Sequence, residues 1–144
     1  MHKIYLTIIL FLLALSGLRS QSVLGYWKTI DDVTEKPKSI LEIYKDEDGL
    51  SARVVEILVE GRENALCVKC KGHRKNMPIK GMNIFDDLKK LDEYTYGEGE
   101  ILDPESGKEY RVKIWIDPDK PDRLKVRGYI AFFFRTQTWR RVSP

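Results

Sequence analysis

Apolar and polar positions alternate with a period of two over much of the chain. Tyr110, Val112, Ile114 and Ile116 alternate with Arg111, Lys113, Trp115 and Asp117. Successive side chains of an extended strand point to opposite faces, so this spacing predicts a half-buried strand over 109–116. The same alternation predicts a strand over 123–130, with Leu124, Val126, Gly128 and Ile130 on one face. Stretches 39–45 and 50–60 are rich in Ile and Val, and Asp46-Glu47-Asp48-Gly49 between them reads as a hairpin turn. Further strands are expected over 25–29, 99–102 and 136–142. A short element over 82–88 brings the number to about eight, although 83–90 also reads as a single helical turn. Pro104, Pro118 and Pro121 cannot donate to a ladder, which places 103–108 and 117–122 in turns. Many short strands joined by tight turns predict an all-β antiparallel meander. Closing it into a small barrel removes its exposed edges, and a sandwich is the alternative. The longest irregular segment is 61–80, and long ordered loops tend to be functional or cross-linked.

The N-terminus breaks this pattern. Lys3 precedes an almost unbroken apolar run from Ile4 to Leu15, followed by the small residues Ser16, Gly17 and Ser20. This is the layout of a secretory signal peptide. Twelve helical residues span about 18 Å, short of a hydrocarbon core of about 30 Å. The expected cut lies near Ser20–Gln21, with Gly17–Leu18 as the alternative. The expected organisation is therefore a signal peptide over 1–20 and one β-barrel domain over 21–144. The mature chain is expected to be periplasmic or secreted and not embedded in a membrane.

Without Lys3 and Arg19 the chain carries 23 basic and 22 acidic groups. That balance gives no electrostatic case for nucleic acid. The local basic run Lys69, Lys71, His73, Arg74 and Lys75 reads as a solvated loop. The only two cysteines, Cys67 and Cys70, lie at the start of that run. In an exported protein they are expected to form a local disulfide that shapes the loop. A redox pair is a second reading. A soft-metal site built from Cys67, Cys70 and His73, with Met77 and Met82 nearby, is a third.

No residues are assigned to catalysis, and no cofactor is expected. His73 is the only histidine after the leader, and there is no serine elbow or phosphate-binding glycine loop. The adjacent pairs Asp31-Asp32 and Asp86-Asp87 would point to opposite faces of a strand. The aromatic residues remain. Trp27, Trp115, Phe132, Phe133 and Phe134 are candidate contacts for a small apolar or amphipathic ligand inside a barrel. Packing in a filled core is the plainer reading of the same residues. The alternative function is an interaction or structural module of the cell envelope, contacting a partner through loop 61–80.

Several ordered blocks carry a resemblance. They include Gly25-Tyr26-Trp27-Lys28-Thr29, Asp31-Asp32-Val33-Thr34, Cys67-Val68-Lys69-Cys70-Lys71-Gly72, Gly81-Met82-Asn83-Ile84, Val126-Arg127-Gly128-Tyr129 and Arg135-Thr136-Gln137-Thr138-Trp139. In this order the chain resembles a bacterial family of small exported proteins, domain of unknown function 2147. The resemblance spans nearly all of the mature chain and implies export and a single β-rich domain, but no activity. Two positions depart from the family pattern. Glu35 stands where Thr-Gly-Lys is usual, and Phe134 stands where a glycine would precede Arg135. There is a fainter similarity to lipocalin-like barrels, which carry Gly-x-Trp on the first strand with a late arginine across the indole. Gly25 and Trp27 fit that arrangement. Arg141 or Arg135 would supply the guanidinium that closes the barrel end.

Overall fold

A computed structural model of the chain describes residues 22–143. The expected leader, 1–20, lies outside them. Eight strands follow one another: β1 (Gly25–Ile30), β2 (Pro37–Lys45), β3 (Leu50–Ile57), β4 (Asn83–Lys90), β5 (Thr95–Asp103), β6 (Lys108–Ile116), β7 (Arg123–Ile130) and β8 (Phe133–Val142). Each pairs antiparallel with the next, and β8 returns to β1, closing a barrel. The closed meander is the alternative that the alternation favoured, and closure leaves none of the eight strands at the edge of a sheet. Among the described residues no helix is long and apolar enough to cross a membrane.

The element expected over 82–88 is a strand and not a helical turn, and β5 starts earlier than expected; one physical reason lies behind both ambiguities. In β4, Ile84, Phe85 and Leu88 are all buried, a spacing that imitates a helix. Opposite β3, Leu50 pairs with Leu88 while Ala52 pairs with Phe85, so β4 holds an extra residue at this point. Asp87, with φ 57°, sits in that bulge. Strand β5 begins at Thr95 rather than Gly99 because a second irregularity, between Tyr96 and Gly99, interrupts the period. A Cβ on Gly99 would come within 2.5 Å of the Leu88 side chain, which would have to shift.

The interior is filled at one end only. The β2–β3, β4–β5 and β6–β7 turns and the starts of β1 and ends of β8 gather at this closed end. Trp27, Ile43, Leu88, Ile114 and Leu124 are almost completely buried in it, with Phe85 and Trp139 packed beside them. Each such side chain contributes about 1.5–3 kcal/mol by leaving water. Arg141 seals the end. Its guanidinium lies 4.3 Å from the centre of the Trp27 ring. It also donates to the carbonyls of Ser22 (2.5 Å), Leu24 (3.0 Å) and Pro121 (3.1 Å). Of the two arginines considered for this role, Arg141 therefore occupies it. Arg135 stands at the other end of β8.

Candidate functional site

The open end is formed by the β1–β2 loop, the β3–β4 loop over 58–82, and the β5–β6 and β7–β8 turns. Beneath them lies a cavity of about 680 Å³. Its floor is the buried layer Leu41, Val54, Ile84 and Val126, directly above the packed closed end. Ile57, Ile79, Ile101 and Tyr110 extend this apolar surface upward.

One wall is polar. On β8, the register that turns Trp139 inward also turns Gln137 and Arg135 inward, opposite Val126 and Gly128. Gln137 donates to the Asp32 carboxylate at 2.7 Å and accepts from the Trp139 indole at 3.2 Å. Arg135 also pairs with Asp32. On the adjoining strands the Thr29 and Ser39 hydroxyls are 2.7 Å apart. Lys38 and Glu105 form an ion pair of 2.9 Å across the rim. Arg62, also on the lining, makes no ion pair among the described residues. The Asp31 carboxylate is held below the usual range, first by the Thr34 amide and then by the Thr34 hydroxyl and the Val33 amide. It is thereby committed to the turn, which Glu35 completes at φ 58°. A glycine, usual at this position in the resembling family, adopts that conformation freely. The tight turn is formed here with glutamate in its place.

Segment 58–82 forms a side wall. It folds back on itself, with Leu66 bridging to Pro78 and Cys67 N–H donating to the Met77 carbonyl at 2.8 Å. Ala65 and Ile79 face the cavity. Cys67 and Cys70 are joined in a disulfide and buried. Cys67 Sγ lies 3.3 Å from the Pro104 carbonyl oxygen. Beside it, the backbone of Gly107 packs so closely on Lys69 that an added Cβ would fall 2.0 Å from the Lys69 carbonyl oxygen. An Arg74–Glu109 pair of 3.0 Å completes this seam. His73 is exposed in the 3-10 turn Gly72–Arg74. Among the described residues no group of three or more His, Cys, Asp or Glu side chains is placed to hold a metal ion.

The aromatic candidates separate. Phe133 and Phe134 line the rim of the cavity, whereas Trp27, Trp115 and Phe132 do not reach it. Trp27 is core at the closed end. Trp115 lies on the outer face of β6, with the Arg127 guanidinium 5.0 Å from its ring, as its place beside Arg111 and Lys113 in the alternation required. Phe132 is the tip of the β7–β8 turn. Sequence reasoning passed over Thr29, Asp32, Ser39, Tyr110 and Gln137. The available signal was phase: counting back from Trp139 by twos places Gln137 and Arg135 on the inner face.

No curated protein matches the chain. Among solved structures, a Helicobacter pylori protein described as "Protein HP1028 from the human pathogen Helicobacter pylori belongs to the lipocalin family" superimposes with a TM-score of 0.73. The two share 20% identity, over 85% of this chain and 84% of that one. The likeness is one of fold: an eight-stranded barrel of the lipocalin kind. Residues 25–141 match the family described as "Uncharacterized protein conserved in bacteria (DUF2147)". That match runs from the first residue of β1 to Arg141, and the chain belongs to this family.

Proposed function

We propose that this chain is an exported, non-enzymatic barrel that takes a small apolar or amphipathic ligand through its open end. The observation that carries this reading is the half-empty interior, a cavity of about 680 Å³ above a fully packed floor. Binding cavities for small molecules span about 300–1,000 Å³ and pair apolar linings with a few placed polar groups. Here the apolar tail of a ligand packs on Val54, Ile84 and Val126. Its polar end turns to the wall of Gln137, Arg135 and Thr29, with Phe133 and Phe134 at the entrance. The lipocalin-like fold and membership of a bacterial family support the binding role. The Cys67–Cys70 disulfide supports an oxidising compartment outside the cytoplasm.

Native mass spectrometry of the chain recovered from the envelope of its host tests this. The expected spectrum shows an organic adduct that disappears on denaturation, on a chain two hydrogens lighter than its reduced mass. Val126→Phe projects a ring from the floor into the cavity and is expected to abolish the adduct. Overpacking there costs about 1–3 kcal/mol, so an unchanged near-ultraviolet spectrum serves as the check on folding. A bare wild-type chain overturns the ligand reading and leaves loop 58–82 as the contact surface of an envelope partner.

A further inference from the structure

The β7–β8 hairpin holds an apolar prominence that projects beyond the rim of the cavity. Its turn is only two residues long, with Ile130 paired to Phe133. Phe132 is 99% exposed, Phe133 79%, Phe134 61% and Ile130 50%. Val33, 88% exposed, stands in the β1–β2 loop, which the Asp32–Arg135 pair ties to the same hairpin. Clustered exposed apolar side chains of this size mark a contact surface. This one is convex, and its side chains project from both faces of the hairpin.

Its charge is equally particular. From Arg123 to Pro144 there are six basic residues and no acidic one; Arg123, Arg140 and Arg141 stand at the closed end, and Arg127 and Arg135 lie toward the tip. On the outer face of β6 and β7, Arg111 pairs with Tyr129, Lys113 with Arg127, and Trp115 with Lys125. Arg127 also lies 4.3 Å from the Phe134 ring centre. Two acidic groups of the adjoining β1–β2 loop are already engaged: Asp32 by Arg135 and Gln137, and Asp31 by turn amides.

We infer that this hairpin docks the mouth of the barrel on an anionic lipid bilayer. A convex phenylalanine tip finds no flat complement on a rigid protein but enters a bilayer interface at any azimuth. Aromatic side chains settle at headgroup depth, and each cation near an anionic surface adds its own attraction. Arg111, Lys113 and Arg127 behind the tip then rest among the headgroups, and the cavity opens toward the lipid. The inference goes beyond the ligand proposal and does not depend on it, since docking is read without any ligand.

Phosphatidylcholine vesicles, with and without phosphatidylglycerol, are the probe. The full chain carries an environment-sensitive fluorophore at Phe132→Cys or, in a second preparation, at Asp119→Cys in the β6–β7 turn of the closed end. The native cysteines are paired and do not compete for the label. The chain enters the described region at Ser22, also at the closed end. Attachment through the N-terminal end would therefore shield position 119 rather than 132. The expected result is a blue shift, with quenching by brominated lipid, at 132 only and only on anionic vesicles. It weakens as salt rises from about 0.05 M to about 0.5 M. The Phe132→Ser/Phe133→Ser/Phe134→Ser chain is expected to lose about tenfold or more in vesicle partitioning. Because those side chains are exposed, its near-ultraviolet spectrum should not change. A label at 132 that stays in water overturns the inference, as does equal partitioning of wild type and variant. If vesicles are never bound, while the same variant loses capture of a soluble envelope protein, the surface belongs to a protein partner and the lipid assignment falls.

Discussion

Asp87 illustrates how far one residue's chemistry departs from its surface position. It occupies the β4 bulge at φ 57°, and its amide donates to the Ser51 hydroxyl at 3.3 Å. Ser51 in turn donates to Asp46 at 2.5 Å. Asp46 is held below the ordinary carboxylate range by that hydroxyl first and by the Asp48 and Gly49 amides. Asp87 is pushed above it, first by lost hydration and then by the charges of Asp46 and Asp48. The two act oppositely on stability. Between 3.8 and its raised folded value, Asp87 binds more protons folded than unfolded, so its contribution falls as pH rises through that window. The contribution of Asp46 is present above 3.8 and is lost as pH falls through its lowered folded value. Asp87→Asn removes the repulsion, supplies an amide donor for Asp46, and suits the left-handed conformation better than most residues. Urea midpoints are expected to rise for Asp87→Asn at neutral pH. The gain should shrink in acid well below 3.8, where Asp87 is protonated in both states. An unchanged or lower neutral midpoint would show that the carboxylate cluster carries no net strain.

At the scale of elements, regular alternation made β6 and β7 legible almost to the residue. The hairpin at Asp46–Gly49 was equally plain, because glycine and aspartate there have no other good use. The bulges left β4 ambiguous between strand and helical turn and hid the first half of β5. A single extra residue flips the phase, so the alternation breaks at Asp86-Asp87 and between Tyr96 and Gly99 although both lie in the sheet. Segment 61–80 read as a long, cross-linked loop, but not as a wall of the cavity, since its contacts to Pro104 and Gly107 are long-range. The disulfide closes a ring of four residues, worth about 2 kcal/mol in the chain-entropy view, and its place against β5–β6 gives it a structural role. Gly107 is the sharper probe of that docking. Its φ of 70° and the approach of the Lys69 carbonyl leave no room for a methyl group. Gly107→Ala is expected to cost about 2 kcal/mol or more and to raise hydrogen exchange across 65–79 while β6 and β7 stay protected. Exchange unchanged in that segment would mean that the loop holds itself without the β5–β6 turn.

The whole molecule divides into a sealed half and an open half, and one arginine ties the seal. Arg141 lies on β8, faces Trp27 on β1, and reaches the carbonyl of Pro121 in the β6–β7 turn and those of Ser22 and Leu24 before β1. It thus joins the last strand to the first where the meander must close. Partial burial lowers its pKa, which Asp122 offsets, and the group stays charged at any working pH. Gly-x-Trp at the start and an arginine near the end were visible in the sequence. Choosing between Arg135 and Arg141 required the β1–β8 register, which no local pattern encodes. A lysine keeps the charge but not the planar fork, so it cannot stack on the indole and satisfy three separated carbonyls together. Arg141→Lys is expected to lower global stability by about 1–3 kcal/mol, from lost charge-assisted hydrogen bonds. Because the seam is shared, the loss should appear equally in Trp27 fluorescence and in far-ultraviolet unfolding curves. Arg135→Lys, at the open end, should leave both midpoints within about 0.5 kcal/mol of wild type. Equal losses at the two positions would mean that closure of the barrel is spread along the whole β1–β8 ladder and is not concentrated at the sealed end.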